Sequence, residues 1–321
     1  MKISFVLLIK IRSHHSHNEL ERLKSIQLKS FRKFLDISIL KDFYIVASRE
    51  DIQIIKADLL KDYPEFPFVF VDEEALCPSL TGASGWTKQM IFKIAVANMI
   101  ETDYYLTLDT DVFLTKALSG GDILRNGRLT FQKENPDTHV QWWKSSCRVL
   151  HVDPDMLLKN KFVMGVTPEY LVTDVCRRLQ HEIERLHCTK DFASWLISRR
   201  MSKKNLLNKI IKKLSETVPI INEVVPQERM DQITTCDWTE YTLYWVYLNK
   251  YQLVDKYYDD NGRQIYGGCI WGKKDIRNND LQALVEKAFT DNDDYHFSIF
   301  QSSIKELDQI NLAKTIGNYL D

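Results

Sequence analysis

Several things are scarce in this chain of 321 residues, and each absence excludes something. Net charge is nearly nil: 43 lysines and arginines stand against 44 aspartates and glutamates, leaving −1. So weak a positive field disfavours a nucleic-acid binder unless the charge is strongly clustered. No apolar run approaches the roughly 20 residues of a membrane-spanning helix. Six cysteines (Cys77, Cys147, Cys176, Cys188, Cys236 and Cys269) form no CxxC pair and have no zinc-site spacing. They read as scattered, reduced, mostly buried thiols, which points to a reducing compartment. The apolar run Ile3 to Ile9 is short, has no small-residue cleavage site and is followed by charge, so it reads as a buried strand rather than a secretion signal. A cytoplasmic location is the expectation. There is no internal repeat and no low-complexity linker. After the first strand, Lys10-Ile11-Arg12-Ser13 contains no glycine, unlike the glycine-rich phosphate loop usual in nucleotidyltransferases.

What is present is ordinary for a globular enzyme: 44% hydrophobic and 27% charged residues, with length for one large α/β domain or two smaller lobes. The first 115 residues alternate strand and helix signals. Strands are predicted at Ile3–Ile9, Phe43–Ala47, Phe68–Val71 and Tyr104–Leu108, with helices at Asn18–Leu35, Arg49–Leu60 and Trp86–Ile100. This alternation implies βαβ crossovers and a mostly parallel sheet.

After Asp111 the pattern is less regular. Strand-like runs occur at Leu129–Gln132 and Arg148–Val152. Thr167-Pro168-Glu169 reads as a helix start, with Thr as cap and Pro at the first helical position, and predicts a helix to about His187. Asp191 is a candidate cap for a further helix. Lys203–Glu216 has an apolar stripe of Leu206, Leu207, Ile210, Ile211 and Leu214 among five lysines. Packing on the core is the reading placed first for it; peripheral contact with an anionic membrane is the alternative. Helices at about Thr239–Tyr251 and Asn279–Phe289 precede a strand-like run, Tyr295–Phe300.

The most informative segment is Tyr104-Tyr105-Leu106-Thr107-Leu108-Asp109-Thr110-Asp111. Two carboxylates end a buried strand, and in extended backbone a spacing of two turns both to one face. Ligands of open α/β sheets bind at the carboxyl ends of strands. Two hard oxygen ligands there suit Mg²⁺ or Mn²⁺, which in turn holds a diphosphate. The bland alternative is a turn or cap, because D-x-D alone is a weak signal.

From Gly85-Trp86-Thr87-Lys88-Gln89 through Lys93 to Asp109-Thr110-Asp111, the chain resembles the donor-binding half of GT-A glycosyltransferases. It is most similar to a poorly characterised bacterial and viral branch, with Thr239-Glu240-Tyr241 and Gln301-Ser302 as later matching segments. The resemblance covers about residues 1–115 well and the remainder patchily. It implies an α/β fold of GT-A, Rossmann-like type, a mostly parallel central sheet flanked by helices with a mixed α+β acceptor half. Residues 1–115 would form the nucleotide-sugar half and 116–321 the acceptor half of one continuous domain. It further implies transfer from a nucleotide-diphosphate sugar to the hydroxyl of a glycan or other acceptor. Asp109 would contact the donor or share the metal, and Asp111 would bind the metal. Gln89 and Lys93, four apart on one helix face, would serve the donor, with Lys93 as a point charge.

GT-A enzymes often add a late histidine to the metal, and His296 is the best candidate of the eight in this chain. His14, His15 and His17 lack a convincing metal spacing. For a base that takes the acceptor proton, Glu240 resembles the carboxylate of inverting enzymes, with Asp237 in reserve. Against that, Asp237-Trp238-Thr239-Glu240 reads as a variant capping box in which Glu240 bonds back to Asp237. Trp142-Trp143 is a candidate border of the acceptor site, and Trp238, Tyr241, Tyr244, Trp245 and Tyr247 at helical spacing are core or sugar-stacking residues. Inversion is favoured weakly over retention. The rival classes are a nucleotidyltransferase and an inactive nucleotide-sugar-binding or scaffold protein.

Overall fold

A computed structural model describes residues 1–11, 19–80, 83–157, 160–204, 237–260, 263–276, 280–291, 295–301, 304 and 309–321. The stretches holding His14, His15 and His17, nearly all of the basic segment 203–216, and Ser302 lie outside the described residues.

The elements that position the site run in chain order as β1 (Ile3–Leu8), α1 (residues 19–34), β2 (Leu40–Ala47), α2 (Arg49–Asp62), β3 (Phe68–Asp72), α3 (Gly85–Ala95), β4 (Tyr104–Leu108) and β5 (Val112–Leu114). Then follow α4 (Val140–Val149), β6 (Glu169–Val172), α5 (Thr173–Leu186), α6 (Phe192–Lys204), α7 (Glu240–Lys250), α8 (Leu281–Thr290), β7 (Phe297–Ile299) and α9 (Gln309–Leu320). Short strands and single turns lie between them. Among the described residues, no helix is long and apolar enough to cross a membrane.

Five strands form the central sheet in the order β6-β4-β1-β2-β3. β1 to β4 are parallel and β6 is antiparallel on β4. Every residue of β1 is buried, as expected of a strand covered on both faces. Phe31 of α1 packs edge-on against Phe5, centroids 5.7 Å apart, and Phe5 against Phe43 at 5.8 Å. The chain winds outward from β1 to β3 and then returns to place β4 on the other side of β1. That reversal opens a crevice at the carboxyl ends of β1 and β4, where open α/β sheets bind ligands.

β5 and β7 form a separate antiparallel pair. β5 joins two cores: Val112 and Leu114 face the main one, while Phe113 enters a second with Phe300, Ile26 and residues of α8 and α9. Alternation along a strand accounts for the split.

The first-half elements match the predicted ones to within a few residues at their ends. The second half brings corrections. Glu169–Val172 is a strand, not the opening of a helix; the helix begins only at Thr173. All four strand residues are buried against the free edge of β4, and that pairing outweighs the local Thr-Pro signal. Arg148–Val152, expected as a strand, ends and follows α4. Its neighbours Trp143 and Cys147 are buried on a helical face, which the apolar run alone could not reveal. Asp191 caps α6 as expected, accepting from the Ser194 amide at 3.0 Å.

α1 is not uniform. Between Glu19–Arg22 and Lys29–Phe34 it widens into a π-helical section, Leu23–Leu28. There the Gln27 side-chain amide donates to the carbonyls of both Asp109 and Val112, each at 2.8 Å. Ser30 accepts from the Leu114 amide at 3.0 Å. One helix therefore holds both ends of the acidic turn that follows β4. Gln27→Leu, which strands two carbonyls, should lower stability by about 1–3 kcal/mol. Urea denaturation reads this directly, and an unchanged midpoint would show that the turn is held some other way.

Candidate active site

Ser84 caps α3 by accepting from the Thr87 amide at 3.3 Å. The helix then presents Trp86, Gln89, Met90 and Lys93 to one cavity of about 530 Å³. Their spacing (i, i+3, i+4, i+7) is one helical face. The end of β4 contributes Asp109 and Asp111 to the same cavity, and the start of α7 contributes Thr239, Glu240 and Tyr241.

Lys93 is the pivot. It is 3% exposed, and its ammonium lies 3.0 Å from Asp109 and 3.3 Å from Glu240. It donates to the Thr167 hydroxyl at 2.6 Å and sits 5.6 Å from the centre of the Tyr241 ring. Burial on its own would lower its pKa, but Asp109, Tyr241 and Glu240 outweigh that and hold it well above the ordinary lysine value. The charge is permanent at any physiological pH. Lys93 is thus internal to the wall rather than a solvated arm.

Hydroxyls extend this cluster. The Tyr241 hydroxyl bonds Thr167 at 2.6 Å and Thr107 at 2.8 Å, and Thr107 donates to the Glu169 carbonyl at 3.1 Å. The chain of bonds therefore links α3, β4, the segment entering β6, and α7.

Glu240 is the first residue of α7, not the third of a capping box. The box is made by Thr239 and Thr242, each side chain bonded to the other's amide at 3.2 and 2.9 Å. The Glu240 carboxylate is left for Lys93. Burial raises its pKa; Lys93 opposes that, while Asp109 reinforces it because two carboxylates share one ammonium. Asp237 does not line the cavity; its amide donates to Ser145 at 3.1 Å.

His296 is also placed elsewhere. β7 runs antiparallel to β5 with Ile299 opposite Val112, so it is Phe300 that reaches Asp111, donating to its carbonyl at 3.1 Å. The His296 carbonyl instead accepts from Thr115 at 2.9 Å, and its ring lies 3.5 Å from Asp122. The three residues of β5 lie between Asp111 and Thr115, four strand rises or on the order of 13 Å. The expected third metal ligand is therefore corrected: the structure does not bring His296 to the carboxylate pair. Gln301, farther along the same segment, lines the cavity.

Several cavity residues escaped the sequence reading, among them Thr138, His139, Val166 and, chemically the most notable, Glu134. Glu134 ends a two-residue strand, too short for any periodic signal. Burial pushes its carboxyl up to about 7. Close by, Glu169 is fully buried and accepts from the Gln132 amide at 3.2 and 3.4 Å, and burial raises it well above the usual carboxylate range. Gly165 makes room for this arrangement: a Cβ there would stand 2.8 Å from the Gln132 side chain and 3.2 Å from a Glu134 oxygen.

Among the described residues, the lining thus holds four carboxyl groups, Asp109, Asp111, Glu134 and Glu240, and a single lysine. Such a surface attracts cations and hydroxyl donors. Among the described residues, no group of three or more His, Cys, Asp or Glu is arranged to hold a metal. The carboxylate pair fits a cation of another type: Mg²⁺ in phosphate-handling sites takes one or two protein carboxylates, with phosphate oxygens and water as its other ligands.

Residues 1–321 match the model of a family of unknown function, DUF6492, and the chain belongs to that family. No curated protein matches. Among solved structures, the chain is similar to mouse xyloside xylosyltransferase 1 in its apo form, at 10% identity and a TM-score of 0.44, covering 93% of this chain and 97% of that one. It is also similar to the galactosyltransferase LgtC in complex with donor and acceptor sugar analogs, at 10% identity and a TM-score of 0.43, covering 99% and 95%. A third is the mannosyltransferase Ktr4p from S. cerevisiae, at 10% identity and a TM-score of 0.41, covering 58% and 60%.

The raised carboxyls of Glu134, Glu169 and Glu240 make a stability prediction. An acid whose folded pKa lies above its unfolded value binds more protons when folded, so stability falls as pH rises through that interval. For Glu134 the interval runs from its ordinary value of 4.5 to about 7. Melting temperature should decline across it, and Glu134→Gln should flatten the decline, leaving the part due to Glu169 and Glu240. A thermal melt series that rises with pH there, or is unaltered by the substitution, would contradict the assignment.

Proposed function

We propose that the chain is a glycosyltransferase of GT-A type that moves a sugar from a nucleotide-diphosphate donor to a hydroxyl acceptor. The observation that carries this reading is the Asp109–Asp111 pair at the end of β4, opening onto the cavity at the point where the strand order reverses. Gln89, Lys93 and Asp109 come from the proposed donor half, 1–115, and Glu134 and Glu240 from the acceptor half, 116–321, and all line one cavity. A divalent ion, Mg²⁺ or Mn²⁺, held by Asp109 and Asp111 would supply Lewis-acid stabilisation of the departing diphosphate.

The protein's own residues have distinct tasks. Lys93 pairs with Asp109 and Glu240, opposes the rise that burial gives the Glu240 pKa, and fixes the distance between the two carboxyls. Gln89, on the same face of α3, faces the donor. Glu240 accepts the acceptor hydroxyl proton as the new bond to the sugar's anomeric carbon forms and the bond to the diphosphate breaks with its electron pair. A pKa raised by burial suits a carboxylate to that task. This is the inverting course; a retaining enzyme would not need the base.

Incubation with a panel of nucleotide sugars and Mn²⁺ tests the reading. Slow donor hydrolysis is expected. Release of pyrophosphate from a nucleoside triphosphate would favour a nucleotidyltransferase, and donor binding without turnover an inactive binding protein. Asp111→Ala should abolish Mn²⁺-dependent binding of a nucleoside diphosphate in calorimetry, and unchanged binding would remove Asp111 from the metal.

Glu240→Gln separates chemistry from structure. As base, Glu240 should be worth on the order of 10²–10⁴ in kcat, with donor binding little changed. As a mere counter-ion to Lys93, its loss should appear in stability and spare turnover.

A further inference from the structure

The chain has seven tryptophans, and three of them, Trp86, Trp142 and Trp271, line the cavity. Tryptophan at a surface is costly unless it serves something, because its apolar area is large. Yet Trp86 is 51% and Trp271 44% exposed, while Trp143, Trp238 and Trp245 are 2% exposed or less. Exposure of this side chain is concentrated at the cavity.

These rings are held in place. The Trp271 amide donates to Asp275 at 2.8 Å, the following Gly272 amide to the same oxygen at 2.9 Å, and the ring meets Tyr266 edge-on at 5.7 Å. Trp142 stacks on His139, 3.8 Å apart and 16° from parallel, and burial keeps that imidazole neutral by lowering its pKa. One face of Trp86 is covered by the Arg200 guanidinium at 4.3 Å. Trp271 and the Trp142–His139 pair are therefore fixed, uncharged aromatic planes at the border of a cavity lined by carboxylates.

A ligand matching both features must have a flat apolar face and a rim of hydroxyl donors. The aromatic face carries negative electrostatic potential and attracts weakly polarised C–H groups. Carboxylates accept hydrogen bonds from hydroxyls and repel anions. Glu134, on the same lining, adds a carboxyl oxygen that accepts from a hydroxyl in either protonation state. A neutral pyranose has these properties; a phosphorylated or carboxylated one does not.

We infer that the acceptor side of this cavity binds a neutral pyranose, stacked on Trp271 and the Trp142–His139 pair. Its designation as the acceptor side rests on the glycosyltransferase reading; the sugar contact itself does not.

Saturation-transfer NMR on the full chain tests it without donor, metal or turnover. The probes are methyl β-galactopyranoside, methyl β-glucopyranoside, glucose 6-phosphate and glycerol. Transfer to the ring C–H protons of at least one methyl glycoside is expected, with little to the sugar phosphate and none to glycerol. Trp271→Ala should weaken that binding about tenfold, as loss of one aromatic contact does, and Trp271→Tyr should restore most of it. Trp142→Ala should weaken it similarly. The inference is overturned if neither glycoside is contacted, if the phosphate binds better, or if both alanine variants bind as the parent does. Glycoside binding by a protein that hydrolyses no donor would leave this inference standing and sink the catalytic one. Donor hydrolysis without glycoside contact would do the reverse.

Discussion

The geometry of the site depends on one buried ammonium. Lys93 meets two carboxylates from elements far apart in sequence, Asp109 after β4 and Glu240 at the start of α7, and donates to Thr167 before β6. A charge this deep is tolerated only when paired and hydrogen-bonded. The pairing leaves little freedom: if α3 slid along its axis, an ammonium and two carboxylates would lose their partners together. Replacing such a triad with apolar residues can cost nothing in stability in other proteins. Its persistence here is therefore better explained by where it puts the carboxylates than by the energy it adds.

The rest of the lining follows from that placement. With Lys93 committed to Asp109 and Glu240, the cavity carries more acid than base, and further carboxyls are relieved by protonation instead. Glu134 and Glu169 are drawn towards the neutral form by burial. The pocket thus combines an acidic pair at the end of β4, one member of it bonded to Lys93, with protonation-prone carboxyls near Gly165. An anionic ligand would enter the first region only with a cation, whereas a polyhydroxylated one needs no such help.

The first half of the fold was legible because parallel strands covered on both faces read as short apolar runs, and their crossover helices have clean faces. Asp109 and Asp111 were legible for the same reason: β4 announces its own end. What failed were features set by tertiary pairing. Glu169–Val172 is a strand because β4 has an edge to fill. His296 looked suitable in type, but the register of β7 on β5 carried it away from Asp111, and a register is not written in a lone three-residue strand. Glu240 was singled out for its resemblance and lines the cavity, yet its helix position was misjudged because Asp237 is as good a cap as Thr239 in local chemistry. Glu134 gave no signal, since neither its strand nor its burial is local. The aromatic segment at the start of α7 is almost wholly core, with Tyr241 reaching the cavity.

The split allegiance of β5 has a consequence for variation within this architecture. Asp109, Thr110 and Asp111 join β4 to a strand whose alternate residues belong to different cores, Phe113 to one, Val112 and Leu114 to the other. Adding or removing a single residue in that connection would exchange the two faces. It would drive Phe113 into the space of its smaller neighbours and move both carbonyls away from Gln27. Whatever the side chains of these three residues do, their number is fixed by packing alone. The distance from the end of β4 to the second acidic residue is thus set by the packing of two hydrophobic interiors, and a length change there would be rejected as a folding defect before chemistry had any say.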